Sequence, residues 1–285
     1  MHRAGGAFQI VLPERRAHCD VDHMTRIRLD QLLVARGLFT SRSRAGAAVL
    51  AGEVLLGEGR ERAAKPGQLV ADDVSVALAA VMPYVSRGGI KLANALDTLA
   101  VPVSGRRALD VGASTGGFTD CLLQRGARHV VALDVAYGEL AWKLREDPRV
   151  TAVERCNARA VTPQALPYAA ELIVIDVSFI SLRTVLPAVL GCAAPRFDCL
   201  AMVKPQFEVG RERLGKGGVV RDPALRREAL TAVAQAALDL GASFGGFASS
   251  GLPGPKGNRE TFLWLREAAR GSVAAVADAA REVEP

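Results

Sequence analysis

No run of about 18 uncharged apolar residues, the length a membrane-spanning helix needs, occurs in this chain. The two most apolar stretches, 69–82 and 171–182, are broken by charge or too short, so a soluble protein is expected. Cysteine is sparse and odd in number: Cys19, Cys121, Cys156, Cys192 and Cys199 form no C-x-x-C pair and have no histidine at metal-ligand spacing. That excludes a disulfide framework and a zinc site, and predicts no metal, reduced thiols and a cytoplasmic location. The first 23 residues carry Arg3, Arg15 and Arg16 but no continuous apolar segment before a small-residue cleavage site, so no secretory signal is read there. Aromatic residues make up only 5% of the chain against 49% hydrophobic overall, enough for one sizeable core and a small second domain.

What is present begins with charge. A net +6 favours a polyanionic partner without identifying one. Residues 1–23 have no sustained period and read as a disordered extension, with regular patterning from Met24. Leu32, Leu33, Ala35, Leu38 and Phe39 give a short helical face, Gly37 a stop, and Ser41 the cap of a second helix over Arg42–Ala51. Glu53–Leu56, Val70 and Val74–Val76 read as short strands joined by turns. Two helices and a small sheet thus fit in 24–78, followed by a connector at 79–84 that Pro83 keeps extended. From residue 85 onward, strand candidates at Arg107–Val111, His129–Asp134, Val150–Arg155, Leu172–Asp176, Cys199–Lys204 and Gly245–Ser250 alternate with helical text. That alternation predicts an α/β domain with a mostly parallel sheet covered on both faces. The alanine-rich tail from Glu267 is expected to be a terminal helix.

In Asp110-Val111-Gly112-Ala113-Ser114-Thr115-Gly116-Gly117-Phe118 a buried strand runs into glycines and then a helix, which places a ligand at the carboxyl edge of the sheet. The spacing is not the dinucleotide G-x-G-x-x-G, so a cofactor without pyrophosphate, S-adenosylmethionine, is favoured over NAD. Asp134 ends the next strand 24 residues after Asp110, near the offset at which a carboxylate grips ribose hydroxyls. Asp110 is expected to accept from the cofactor's amino group or to order the loop, and Asn157 to contact adenine or only to form a turn.

Four further charged residues are brought by topology to the same edge: Lys91, opening a helix after Ser86-Arg87-Gly88-Gly89, and Asp176, Lys204 and Glu260 near strand ends. Two lysines and two carboxylates in one cleft are costly to desolvate unless paired or functional. A ribose 2′-hydroxyl is a poor nucleophile that needs a base or a firm acceptor aligned with the methyl group. Lys204 suits that role, with Asp176 and Glu260 setting its position and charge and Lys91 holding ribose or phosphate. Residues 208–222, rich in glycine, arginine and lysine, read as a mobile basic flap or as a solvated loop.

These residues resemble known families. Arg26–Val76, through Arg28–Gly37, Ser41–Arg44 and Gly52-Glu53-Val54, resembles the S4 RNA-binding domain, and Tyr84–Leu265 resembles the FtsJ-like 2′-O-methyltransferase domain. The two in this order, with Ser86–Leu92, Asp110–Thr119, Ile175–Ser181, Lys204–Glu208 and Gly257–Glu260, look like the TlyA family. The resemblance implies a Rossmann-like methyltransferase domain with a mostly parallel seven-stranded sheet, preceded by a small α+β S4-like domain. It puts the Lys-Asp-Lys-Glu tetrad on Lys91, Asp176, Lys204 and Glu260. It also implies methylation of cytidine 2′-hydroxyls in ribosomal RNA of one or both subunits, and sensitivity to capreomycin-type antibiotics. The cofactor set is then Asp110, Gly112, Ser114, Thr115, Gly116, Gly117, Phe118, Asp134, Asn157 and Asp176. Two departures stand out: Ser114-Thr115 where many FtsJ-like proteins carry Ala-Pro, which suits the TlyA branch, and Leu56-Gly57-Glu58 without the Asn-Gly of many S4 turns.

In the S4-like part, Arg26, Arg28, Arg36, Arg42 and Arg44 face only Asp30 over residues 25–52, a cluster suited to RNA phosphates; Arg87 joins them as an RNA contact. No obligate protein partner is expected. Because proteins of this kind are often labelled haemolysins, a membrane-active toxin is a rival, opposed by the absence of a spanning helix or a strongly amphipathic basic one. A non-catalytic RNA-binding or assembly factor is a second rival, opposed by the intact tetrad. Base methylation would require an Asn/Asp-Pro-Pro-Tyr/Phe motif, whereas Asp176 is followed by Val177-Ser178-Phe179.

Overall fold

The computed structural model describes residues 26–50, 52–78 and 82–285, and the chain divides into two compact units, residues 1–81 and 82–285. The extension expected over 1–23 lies outside the described residues, as does 79–81 of the connector.

The smaller unit opens with β1 (Arg26–Arg28) and α1 (Leu29–Ala35), followed by α2 (Arg42–Leu50). Leu29 and Leu33 on α1 and Ala45, Ala48 and Val49 on α2 recur at helical spacing and bury one shared face. α1 stops earlier than its apolar pattern suggests. Gly37 takes φ +71° and turns the chain, so Leu38 and Phe39 reach the same core from outside the helix. Ser41 Oγ accepts the Arg44 N–H at 3.3 Å, as expected of a cap. β2 (Val54–Leu56) pairs antiparallel with both β3 (Glu61–Arg62) and β5 (Val76–Leu78), while β4 (Leu69–Ala71) pairs with β1.

The larger unit starts with α3 (Arg87–Leu99), β6 (Arg107–Val111), α4 (Gly117–Gln124) and β7 (His129–Leu133). It continues through α5 (Trp142–Arg145), β8 (Val150–Val153), β9 (Ala170–Ile175), α6 (Leu182–Leu190) and β10 (Ala193–Val203). It closes with α7 (Pro223–Asp239), β11 (Ala242–Ser249), β12 (Thr261–Glu267) and α8 (Val276–Val283). Seven strands form one sheet in the order β11-β12-β10-β9-β6-β7-β8, with β12 antiparallel to both its neighbours and the other neighbouring pairs parallel. This is the Rossmann-like, mostly parallel sheet the sequence implied.

Successive residues of a strand face opposite sides, and the core divides accordingly. Leu109, Val111, Ile173 and Ile175 pack with Val185, Leu186 and Val233 on one side, while Ala108, Leu172 and Val174 pack with Leu92, Leu96 and Leu122 on the other. The tail departs from expectation. The alternating Thr261–Glu267 segment is the seventh strand, and the helix begins only at Val276. The strand order reverses at β6, whose neighbours are β7 and β9, and this switch point opens a crevice at the carboxyl ends of the strands.

Candidate active site

β6 runs out at Val111, and Gly112 follows at φ +83° with a backbone so close to Asp176 that a Cβ there would collide with the Asp176 carbonyl. Only glycine meets both demands. Ser114 also adopts a left-handed conformation at φ +46°, which costs a non-glycine residue energy and is typical of functional turns. Asp134, just past β7, holds that turn: its carboxylate accepts the Ser114 N–H at 2.7 Å and the Ala136 N–H at 2.8 Å. Its remaining lone pairs are free for ribose hydroxyls. Ala113, Ser114, Asp134, Ala136 and Leu140 border a shallow cleft beside this turn.

Asp110 lies one residue below the end of β6 and is fully buried. Thr119 Oγ donates to its Oδ2 at 2.6 Å, yet Oδ1 has no partner. Burial pushes the Asp110 carboxyl up to about 7, with repulsion from Asp176 and Asp134 adding to the rise and the Thr119 hydrogen bond opposing it. An orphaned buried acceptor beside a glycine turn fits the cationic end of S-adenosylmethionine. Thr115 and Ser114 are exposed at the turn, and Gly116 and Gly117 lead into α4. The Phe118 ring is buried in the core, 5.7 Å from that of Phe262. Asn157 behaves as a turn former, its side chain accepting the Arg159 N–H at 3.0 Å.

The tetrad assembles as two ion pairs. Lys91 Nζ meets Glu260 Oε2 at 2.5 Å with both side chains buried. Lys204 Nζ lies 2.5 Å from Asp176 Oδ1 and donates to Ser178 Oγ at 2.9 Å. No donor is aligned on Asp176 Oδ1, so its contact with Lys204 is charge against charge, without hydrogen-bond geometry. Sheet register brings the two pairs to one edge: Val203 faces Thr261 across β10 and β12, and the Asp176 N–H bonds the Val111 carbonyl at 2.9 Å. Glu260 therefore balances Lys91, where the sequence reading had it balance Lys204.

Several neighbours were given no role from the sequence. Ser178 and Phe179 follow Asp176; Phe179 sits at φ +64°, 92% exposed, its ring 5.3 Å from Phe207. A bulky residue held in that conformation and left in solvent is uncommon. Asp120, buried on the first turn of α4, accepts from the Val85 N–H at 2.8 Å and from Lys143 at 3.0 Å, and so ties the cofactor loop's helix to the segment entering α3. Its position directly after Thr119 was the available signal.

Among the arginines expected to meet RNA, Arg26 and Arg44 are exposed. Arg28 and Arg42 both pair with Asp30, at 2.9 and 3.0 Å, and hold its carboxyl well below the usual range. The Arg36 guanidinium donates to the Val74 and Asp72 carbonyls at 2.6 and 2.5 Å, a structural strut. In the larger unit, Arg87 donates to the Pro253 carbonyl at 3.0 Å.

Comparison with known proteins decides among methyltransferase branches. The profile of FtsJ-like methyltransferases matches residues 84–267. The 16S/23S rRNA (cytidine-2′-O)-methyltransferase TlyA of Mycobacterium tuberculosis is 52% identical over 243 residues, covering 85% of this chain and 90% of that one. The chain belongs to the TlyA family of FtsJ-like methyltransferases. It is a methyltransferase, and its cofactor is S-adenosylmethionine. Other TlyA-like relatives bear the haemolysin label: Hemolysin A of Brachyspira hyodysenteriae is 36% identical over 82% of this chain and 97% of that one. A solved Streptococcus thermophilus structure, called a hemolysin, superimposes with a TM-score of 0.69 at 38% identity over 92% of this chain and 96% of that one. Among the described residues of this TlyA-family chain, no helix is long and apolar enough to cross a membrane.

Proposed function

We propose that this chain methylates the 2′-hydroxyl of cytidine ribose in 16S or 23S ribosomal RNA, acting on ribosomal subunits in the cytoplasm. Residues 24–78 serve as the S4-like RNA-binding domain, 79–84 as linker and 85–285 as the catalytic domain. The observation that carries this reading is Lys204, gripped between Asp176 and Ser178 at the sheet edge where Lys91 and Glu260 form a second pair.

S-adenosylmethionine supplies an electrophilic methyl group. Asp110 and the Gly112–Gly117 turn receive its amino-acid end, and Asp134 its ribose. Lys204 orients the acceptor hydroxyl and accepts its proton, and Asp176, in contact with Nζ, sets the position and charge of Lys204. Lys91, charge-balanced by Glu260, positions the ribose or its phosphate.

Lys204→Ala should lower methyl transfer to ribosomal RNA by at least roughly 100-fold, the usual contribution of a positioned acid–base group, while leaving S-adenosylmethionine affinity within twofold. Radiolabelled transfer, calorimetric binding and mapping of 2′-O-methyl marks check this together. Normal transfer by the variant, or a mark on a base, would overturn the reading.

A further inference from the structure

The basic segment between Glu208 and Asp222 was expected to be a mobile flap or a solvated loop. It is fastened at both ends. Val209 and Val220 are buried against Ala229. Asn258, itself buried, accepts the Val220 N–H at 2.9 Å and donates to the Gly218 carbonyl at 2.9 Å. Arg226 donates to the carbonyls of Val220 at 3.3 Å and Arg221 at 2.7 Å.

These anchors fix where the segment sits. It leaves the chain just after Lys204 and is tied down at Asn258, two residues before Glu260. In the sheet, the glycine turn belongs to β6 beside β7, whereas this segment springs from β10 and is pinned beside β12. It therefore borders the tetrad on the side away from the glycine turn, where the methyl acceptor must lie.

Its charge is mostly uncompensated. Arg213 is paired with Glu228 at 2.5 Å, but Arg211, Lys216 and Arg221 are exposed and have no carboxylate partner among the described residues; the opposing charges that are equally free are Glu212 within the segment and Asp222 at its end. Three unpaired cations on an anchored backbone match the repeating negative charge of a nucleic-acid strand.

We propose that residues 209–221 form a preformed cationic rail that binds backbone phosphates of the acceptor RNA and lays the strand against Lys204. The inference rests on the proposed RNA substrate. Because the segment is already ordered, RNA binding does not bear the entropy of fixing a loop. Phosphate contacts of this kind set position without reading sequence.

The test uses the full chain carrying Arg211→Gln, Lys216→Gln and Arg221→Gln, with a control carrying Arg128→Gln, Arg196→Gln and Arg281→Gln, which removes the same charge from exposed positions elsewhere. Binding to 16S and 23S rRNA transcripts is measured from 50 to 250 mM KCl, alongside KM, kcat and cofactor affinity. The rail variant should lose about two units of the log–log salt slope, at ~0.7 per lost contact on single-stranded RNA. Its KM for RNA should rise at least roughly tenfold with kcat and cofactor affinity preserved, and the control should match wild type. An unchanged slope, or an equal fall in the control, overturns the rail. The slope comparison stands whether or not methyl transfer is seen, whereas failure of wild type to methylate either RNA would count against the proposed function instead.

Discussion

At the scale of single residues, Asp110 makes the sharpest demand. Its carboxyl is buried with one oxygen unpartnered, and burial raises it to about 7. If Asp110 accepts the cofactor's ammonium, binding must first remove the proton that free Asp110 carries below that pH. Cofactor affinity should accordingly tighten as pH rises from 6 to 7.5, by roughly tenfold for a group titrating near 7, and Asp110→Asn should bind weakly with no such dependence. Calorimetry at the two pH values checks it; an affinity equally flat in wild type and variant would remove Asp110 from the cofactor's reach. The linked effect on stability has the opposite sense. A carboxyl raised on folding binds more protons in the folded state, so the unliganded protein loses stability as pH climbs from about 4 to 7. Most of this site was legible in the sequence because strand ends mark where ligands collect, and Asp110, Asp134, Asp176 and Lys204 all lie at them. Pairing was not: whether Glu260 meets Lys91 or Lys204 depends on the register of β12 against β10 and on the course of α3, which no spacing along the chain encodes. For Asn157 and Phe118 the letters alone say less, since an asparagine whose side chain caps a turn and a phenylalanine whose ring is buried read the same in sequence as ligand contacts.

Among elements, the two loops that carry the Lys204–Asp176 pair are clasped by one buried carboxylate. Glu208, beyond β10, accepts from Ser181 Oγ at 2.5 Å and from the Leu182 N–H at 2.8 Å, and burial raises its pKa against those hydrogen bonds. It joins the Asp176–Ser181 loop, with Ser178 and Phe179, to the Lys204–Phe207 turn. Glu208→Gln can keep both contacts, its amide oxygen accepting from Leu182 and its NH₂ donating to Ser181, so transfer should stay within about threefold of wild type and protein stability within about 1 kcal/mol. Glu208→Ala leaves a buried N–H unsatisfied, at about 1–3 kcal/mol, and lets the loops part. Its kcat should fall at least roughly tenfold with cofactor affinity kept, and a Gln variant as impaired as Ala would show that the charge, not the clasp, matters. Elements with strong periodicity and clear punctuation were readable in advance, as α3, α4 and the first five sheet strands show. Those shaped by tertiary contact were not. β1 is three residues long and exists through pairing with β4, and β12 runs almost directly into alanine-rich text that hides its end.

The molecule as a whole contains separate cores: Leu29, Leu33, Ala45 and Val49 pack in the smaller unit, and the two faces of the seven-stranded sheet in the larger. Every group assigned to the cofactor belongs to the larger unit, so S-adenosylmethionine should stabilise that unit alone. At 100 times its Kd the gain is ~2.7 kcal/mol, which for a domain of this size moves the melting midpoint by roughly 5–10 °C at about 2–4 °C per kcal/mol. The smaller unit should respond to acid instead. Asp30 is held below the ordinary carboxylate range chiefly by Arg28, with Arg42 assisting, so the stability this lends is present above about pH 4 and lost as pH falls further. Calorimetric scans of the full chain should therefore show two transitions, one raised by cofactor and insensitive to Asp30→Asn, the other lowered by that substitution at neutral pH and indifferent to cofactor. A single transition that moves intact with the cofactor would mean that the two cores melt as one, and that the arginines around Asp30 sit on a surface whose stability depends on the catalytic domain.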